Sequence, residues 1–170
     1  MASIIGPVWG LAGVGLLLGS AVYRLGVRAL DSMREGYTWT QWLVFAALVG
    51  FMAISEGYGA FQKGFSPRVA ARALYLSRHP RPLHLLLAPL FCMGFFYATR
   101  RRQITSWIVT FGIIALVLLV RFLHQPWRGM VDAGVVVGLS WGLVALAVYV
   151  VKAFTRDDFP FPPEVPPQGR

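Results

Sequence analysis

The sequence predicts an all-α integral membrane protein with about five transmembrane helices, or with four and a re-entrant segment. Hydrophobic residues make up 56% of its 170 residues and charged residues only 14%, whereas soluble domains carry about 25% charged residues. Several uncharged runs are long enough to cross about 30 Å of hydrocarbon at 1.5 Å per residue. The sixteen Lys and Arg residues cluster at the ends of these runs, as expected for a chain whose basic loops set its topology.

The first two apolar segments cover residues 4–23 and 40–61. No Lys or Arg precedes the first segment, so we expect it to remain as a span and not to be cleaved as a signal peptide. Trp39 and Trp42 mark the entry of the second segment, as aromatic residues do at membrane interfaces.

A short amphipathic helix is predicted over residues 66–78, directly after the second span. Ser66 suits the N-cap and Pro67 the first helical position. Apolar residues recur on one face of this helix and basic residues on another. We therefore expect the helix to lie in the membrane interface, with its arginines in contact with anionic lipid headgroups; the lipid-surface residues are Arg68, Arg72 and Arg78.

The third apolar segment, residues 83–99, is short and contains Pro89. It suits either a tilted span or a re-entrant hairpin. The fourth and fifth segments cover residues 104–123 and 131–151. The fifth carries Gly134, Gly138 and Gly142 at intervals of four, which predicts a close helix contact within the protomer or in an oligomer.

Residues 1–155 thus form one transmembrane helical domain, and residues 156–170 form a proline-rich tail that we expect to be extended and solvent-exposed. The distribution of Lys and Arg bears on the number of spans. Five spans place nine of them on one side and seven on the other, whereas four spans give eleven against five. The four-span count follows the positive-inside rule better, but the apolar character of residues 83–99 favours five spans.

Five ionisable residues fall at one membrane face if there are five spans, and they form a candidate intramembrane polar cluster: Glu56, His84, Arg121, His124 and Asp132. Such groups are costly in hydrocarbon and often mark functional sites. The cluster suits structural ion pairing, or a proton or cation path along Glu56 and Asp132. A metal site of Glu56, His84, His124 and Asp132, or a haem between His84 and His124, is the alternative.

The sequence has no catalytic motif such as GxSxG, HExxH or a P-loop, so no enzymatic activity is predicted. The single cysteine, Cys92, excludes an intrachain disulfide. The net charge of +9 lies at span ends, which argues against nucleic-acid binding. We expect an accessory subunit, or an oligomeric conductor of a small ion or solute, without a bound cofactor and located in a bacterial inner membrane. The alternative is a metal- or haem-binding redox or enzyme subunit that uses Glu56, His84, His124 and Asp132. The partners expected are anionic lipid and a homo-oligomer or larger membrane complex.

Overall fold

The protein is all-helical in the part of the chain that the structure, a computed structural model, describes: residues 4–156 and 158–166. Four continuous helices in this part are long and apolar enough to cross a membrane. They are α1, the run from α2 through a π-helical segment to α3, α6 and α7. The bounds in chain order are α1 Ile5–Arg34, α2 Trp39–Met52, the π-helical segment Ala53–Phe65, α3 Ser66–Arg78, α4 Pro82–Leu86, α5 Ala88–Met93, α6 Arg100–Val120 and α7 Trp127–Thr155.

Two ends of the bundle can be told apart by their contacts. At one end, Gly6 near the start of α1 packs against side chains of α3 and α4, and the C-terminal tail lies close by; we call this the tail end. At the other end, Ser32 of α1 contacts Gly129 near the start of α7. The turn between α6 and α7 lies here, and we call this the hairpin end. Both termini of the described chain therefore lie at the tail end.

Residues 83–99 differ from a transmembrane span. They form the two short helices α4 and α5, and the chain then reverses at Gly94. Gly94 has φ +83°, a left-handed conformation that suits glycine. Its N–H donates to the Phe91 carbonyl at 3.0 Å, and the Phe95 N–H donates to the Leu90 carbonyl at 3.1 Å, which closes α5 as a Schellman turn. Residues 83–99 thus enter the bundle from the tail end and turn back toward it. The structure therefore does not confirm the count of five spans.

The amphipathic helix over 66–78 also departs from the prediction. It exists as α3, but it continues the helix that begins at Trp39 and packs against α1, α5 and α7. Its sequence VAARA is buried almost throughout, including Arg72 at 1% exposure. Small alanine side chains allow this close approach of neighbouring helices. Arg72 is therefore an interior residue, not the lipid-surface residue that the sequence predicts.

The glycine row of α7 packs inside the protomer. Gly134, Gly138 and Gly142 are buried, and they face Met52, Glu56 and Phe61 of the long helix in turn. A Cβ added at Gly138 would lie 3.0 Å from the Glu56 Cβ, which is tighter than most real Cβ contacts. These glycines thus allow the middle of α7 to pack closely against the π-helical segment.

Candidate functional site: an arginine held by main-chain carbonyls

Arg72 is the best-connected polar side chain that the structure describes. Its Nε donates to the Phe91 carbonyl at 2.6 Å, and one terminal nitrogen donates to the Pro163 carbonyl at 2.9 Å. The other terminal nitrogen donates to the carbonyls of Phe96 and Tyr97, at 3.0 and 3.1 Å. We call these four acceptors the carbonyl cradle. Within the described chain no carboxylate forms an ion pair with Arg72, so dipoles solvate its charge without neutralising it.

The local sequence explains why carbonyls are available here. Pro82 and Pro89 begin α4 and α5, which keeps both helices short. The last carbonyls of a helix lack intrahelical partners and attract cations. The loop of residues 94–99 that follows α5 is irregular, so its carbonyls are equally free to accept. The reversal at Gly94 thus brings three carbonyls, those of Phe91, Phe96 and Tyr97, onto one guanidinium.

Backbone strain is concentrated at the same place. Tyr97 has φ +47° and Glu164 has φ +49°, and they are the non-glycine residues with left-handed backbone in the described ranges. A residue held in this conformation costs about 1–3 kcal/mol and persists only where its surroundings fix it. The Tyr97 carbonyl is bound by Arg72, and the Glu164 carbonyl accepts the Thr99 N–H at 2.9 Å. The carbonyl cradle and this bond therefore fix both strained residues.

The tail forms part of the cradle and is not a free, solvent-exposed end. Besides the bond to Pro163, its Glu164 carboxylate lies 3.8 Å from Arg102 Nε at the start of α6, and Val165 packs against the hydrophobic core. Residues 158–166 have no regular secondary structure, as proline-rich sequence predicts. They cross the tail end as an extended strap that joins α3 to the loop before α6; residues 157 and 167–170 of the predicted tail lie outside the described part.

Aromatic rings cover the cradle. The Arg72 guanidinium lies 4.2 Å from the centroid of the Phe91 ring, and His84 stacks on the same ring. His84 is 4% exposed, 4.9 Å from Phe91 and 4.5 Å from Tyr97 between ring centroids. Its Nδ1 is buried and accepts or donates no hydrogen bond within the described chain. Burial, and then the charges of Arg81 and Arg72, lower the pKa of His84 below its usual value, so the ring is neutral near pH 7.

The candidate polar cluster is not assembled. His84 lies at the tail end, Glu56 is exposed beside Gly138 in the middle of the bundle, and Asp132 is buried near the hairpin end. Arg121 and His124 are exposed in the turn after α6. The reason is the reversal at Gly94, which removes one crossing and so separates His84 from the residues that follow α6. A metal or haem held jointly by His84 and His124 is incompatible with this placement.

No group of three or more His, Cys, Asp or Glu side chains that could hold a metal is found in the described ranges. Asp132 is 4% exposed, and its Oδ2 is without a hydrogen-bond partner there. Near it, Ser32 Oγ and the Tyr37 hydroxyl are 2.8 Å apart, and Ser32 also donates to the Pro126 carbonyl. These contacts tie α1 to the α6–α7 turn at the hairpin end.

Comparisons with protein families, with curated proteins and with solved structures find no match to this chain.

The other two predicted lipid-surface residues, Arg78 and Arg68, differ in their exposure. Arg78 is exposed at the end of α3, where a headgroup contact remains open to it. Arg68 is half-buried, and its Nε donates to the Gly64 carbonyl at 2.6 Å. The cradle itself was not anticipated from the sequence, although a run of alanines around Arg72 is a signal for close packing that a basic amphipathic helix does not require.

Proposed function

We propose that the protein is a non-enzymatic accessory subunit that associates, through α6, with a second transmembrane helix. The observation that carries this proposal is the exposure of α6. Of its 21 residues only Ser106 is buried, and that residue lies near the start of the helix. Its hydroxyl donates to the Met93 carbonyl at 3.0 Å. Beyond this point α6 stands apart from the rest of the bundle.

An isolated membrane helix gains no packing energy from its own protomer. Helix association in membranes depends on van der Waals contact and on small residues that let backbones approach. Gly112, halfway along α6, has nothing within 4 Å of the position of an added Cβ. The same is true of Gly15 and Gly19 on α1. Two copies of this chain thus each offer an open glycine on α6 and an open glycine pair on α1, and we propose a second copy as the occupant of the α6 surface.

The bundle interior favours this function over conduction through one protomer. The middle of the bundle is filled where the α7 glycines meet the π-helical segment. The buried charged groups that the structure describes, Arg72 and Asp132, belong to opposite ends and are not linked by a row of polar side chains. A pathway for an ion would need such a row or a water-filled space.

The charge distribution supports an orientation for the proposed subunit. Of the Lys and Arg residues that the structure describes, ten belong to the tail end and five to the hairpin end. By the positive-inside rule the tail end faces the cytoplasm, with both ends of the described chain inside. We further propose the bacterial inner membrane as its location, with anionic lipid around the tail end.

Cysteine cross-linking in native membranes tests the α6 proposal. In a Cys92→Ser background, single cysteines are placed at four consecutive positions that cover a full helical turn, residues 111–114 of α6. A second copy packed on one face gives a dimer band that peaks at one or two of the four positions. Val144→Cys, an exposed position of α7, is the matched control and should give little dimer.

Two results would contradict the proposal in different ways. Equal and weak cross-linking at all four α6 positions and at the control means that lipid surrounds α6. A strong cross-linked product whose mass differs from that of the dimer means that the partner is another protein. The protein would then still be an accessory subunit, but a second copy would not be its partner. Gly112→Leu in the best cross-linking variant should reduce the dimer band at least severalfold, because it blocks close approach.

A further inference from the structure

Two arginines, Arg72 and Arg102, interact with the Glu164 carboxylate at the tail end, and a third, Arg68, interacts with Arg102. Arg102 Nε lies 3.8 Å from the Glu164 carboxylate. Arg68 lies within electrostatic range of Arg102, and Arg72 within range of both Arg102 and Glu164. The carbonyl cradle leaves the charge of Arg72 intact. Among the described residues, the charge of these three arginines therefore exceeds that of the Glu164 carboxylate.

Arg102 is the arginine with unused binding capacity. Its side chain is 11% exposed, and its Nε is buried without a hydrogen-bond partner in the described part of the chain. The 3.8 Å separation from Glu164 is too long for a hydrogen bond. The absence of a side chain at Gly94 leaves room for the guanidinium, since a Cβ there would lie 3.1 Å from Arg102 Nε. A buried guanidinium N–H that lacks an acceptor is costly, and an anion of suitable shape would satisfy it.

The start of α6 adds a second attraction for an anion. Its first turn contains Arg100, Arg101 and Arg102 and no acidic residue, and the N-cap Thr99 makes no side-chain capping bond. Free N–H groups and the positive end of the helix dipole thus add to the arginine charges. Helix N-termini of this kind bind phosphate groups readily.

Glu164 occupies the place that such an anion would take. Its carboxylate is the one that forms an ion pair with Arg102 among the described residues, its side chain is 35% exposed, and its backbone is held at φ +49°. It is attached to the loop before α6 by its carbonyl and not by its carboxylate. The carboxylate can therefore turn away while the strap stays bound.

We propose that Arg102 and Arg68, together with the first turn of α6, bind a phosphate-bearing anion at the tail end, and that Glu164 is the internal competitor for this site. A phosphate offers several acceptor oxygens to the guanidinium groups, whereas the Glu164 carboxylate approaches without bonding. The phosphate can belong to an anionic phospholipid headgroup or be free in solution. This inference does not depend on the association of α6.

The test measures binding by the full-length protein in mild detergent, with native mass spectrometry for bound lipid. Phosphatidylglycerol, phosphatidylcholine and inorganic phosphate are the probes. Wild-type protein should retain phosphatidylglycerol above phosphatidylcholine. Arg102→Gln should lower the retention about tenfold or more, as expected for the loss of a hydrogen bond to a charged group. Glu164→Gln should raise it severalfold, because the competing charge is removed.

Arg78→Gln is the matched control, since Arg78 is exposed at the same end of the bundle and should change retention less than twofold. If Arg78→Gln and Arg102→Gln lower retention equally, diffuse charge explains the binding and the site is refuted. It is also refuted if Glu164→Gln fails to raise retention. Arg102→Lys, which keeps the charge, guards against misfolding; it should bind more lipid than Arg102→Gln at a similar melting temperature.

The probes also separate the two sources of phosphate. If millimolar inorganic phosphate displaces phosphatidylglycerol from wild-type protein but not from Arg102→Gln, the site takes free phosphate as well as the headgroup. If phosphate has no effect while phosphatidylglycerol binds, the site is a headgroup site. Binding of neither probe above the level of phosphatidylcholine would overturn the proposal.

Discussion

Replacing Arg72 is the strongest single perturbation that the structure suggests. Each of its four hydrogen bonds links a charged donor to a carbonyl, and such bonds contribute about 1.5–3 kcal/mol each. The cost of removing the guanidinium from water offsets much of this sum. Removal of one side of a buried charged network typically costs about 3–5 kcal/mol, because the remaining groups lose their partners. We expect that loss of stability for Arg72→Met.

The order of stabilities across substitutions follows from the number of donors. Lysine keeps the charge but offers three donors without a planar fork, and glutamine offers two. We therefore expect stability to fall in the order wild type, Arg72→Lys, Arg72→Gln, Arg72→Met. Arg78→Gln, at an exposed site on the same helix, should change stability by less than about 0.5 kcal/mol. The measurement is unfolding in mild detergent by titration with a denaturing detergent.

A second readout separates the cradle from general destabilisation. Arg72 binds the Pro163 carbonyl, so its loss should release the strap, and limited proteolysis should cut residues 158–166 before any helix is cut. If Arg72→Met is as stable as wild type and its tail remains protected, the desolvation cost cancels the hydrogen bonds and the cradle does not hold the fold together.

Two further predictions concern packing and pH. Gly138→Leu should destabilise the protomer by about 1–3 kcal/mol through overpacking, whereas Gly50→Leu, at a glycine with open space around it, should be neutral in the same unfolding titration; equal effects would argue against the close contact. Burial, followed by two nearby arginines, lowers the pKa of His84 in the folded state, so the unfolded state binds its proton more readily. Stability should then fall as the pH decreases below about 6.5. His84→Gln should flatten this slope and His79→Gln, at an exposed site, should not; a slope unchanged by His84→Gln would assign it to another group.

Hydropathy alone locates the four long helices, since lipid-facing residues dominate their composition. The helix ends are less well predicted. The first span is predicted over residues 4–23, but α1 continues to Arg34, because helical hydrogen bonding does not stop where the hydrocarbon does. The same reason joins the predicted span 40–61 and the predicted interfacial helix 66–78 into one helix of 40 residues. Glycines at 57, 59 and 64 suggest a break, yet the chain accommodates them as a π-helical segment.

The candidate site was harder to predict, because its acceptors are main-chain atoms. A carbonyl has no sequence signature, so only the donor, Arg72, could be recognised. The surroundings of Arg72 depend on whether residues 83–99 cross the membrane or reverse within it. Pro89 is compatible with a re-entrant segment, whereas the apolar composition of these residues favours a span. A span would place His84 at the same membrane face as His124 and Asp132, and the structure separates these residues.

The way in which Arg72 is stabilised has a consequence for the whole tail end. A buried carboxylate would have cancelled the charge of Arg72, and Arg68 and Arg102 would then have faced Glu164 without it. Carbonyl dipoles instead stabilise the guanidinium and leave its full charge in place. The field of Arg72 therefore adds to those of Arg68 and Arg102, against the Glu164 carboxylate. Because the desolvated surroundings screen such charges poorly, a negatively charged group at this end of the bundle lowers the energy of the fold that the cradle builds.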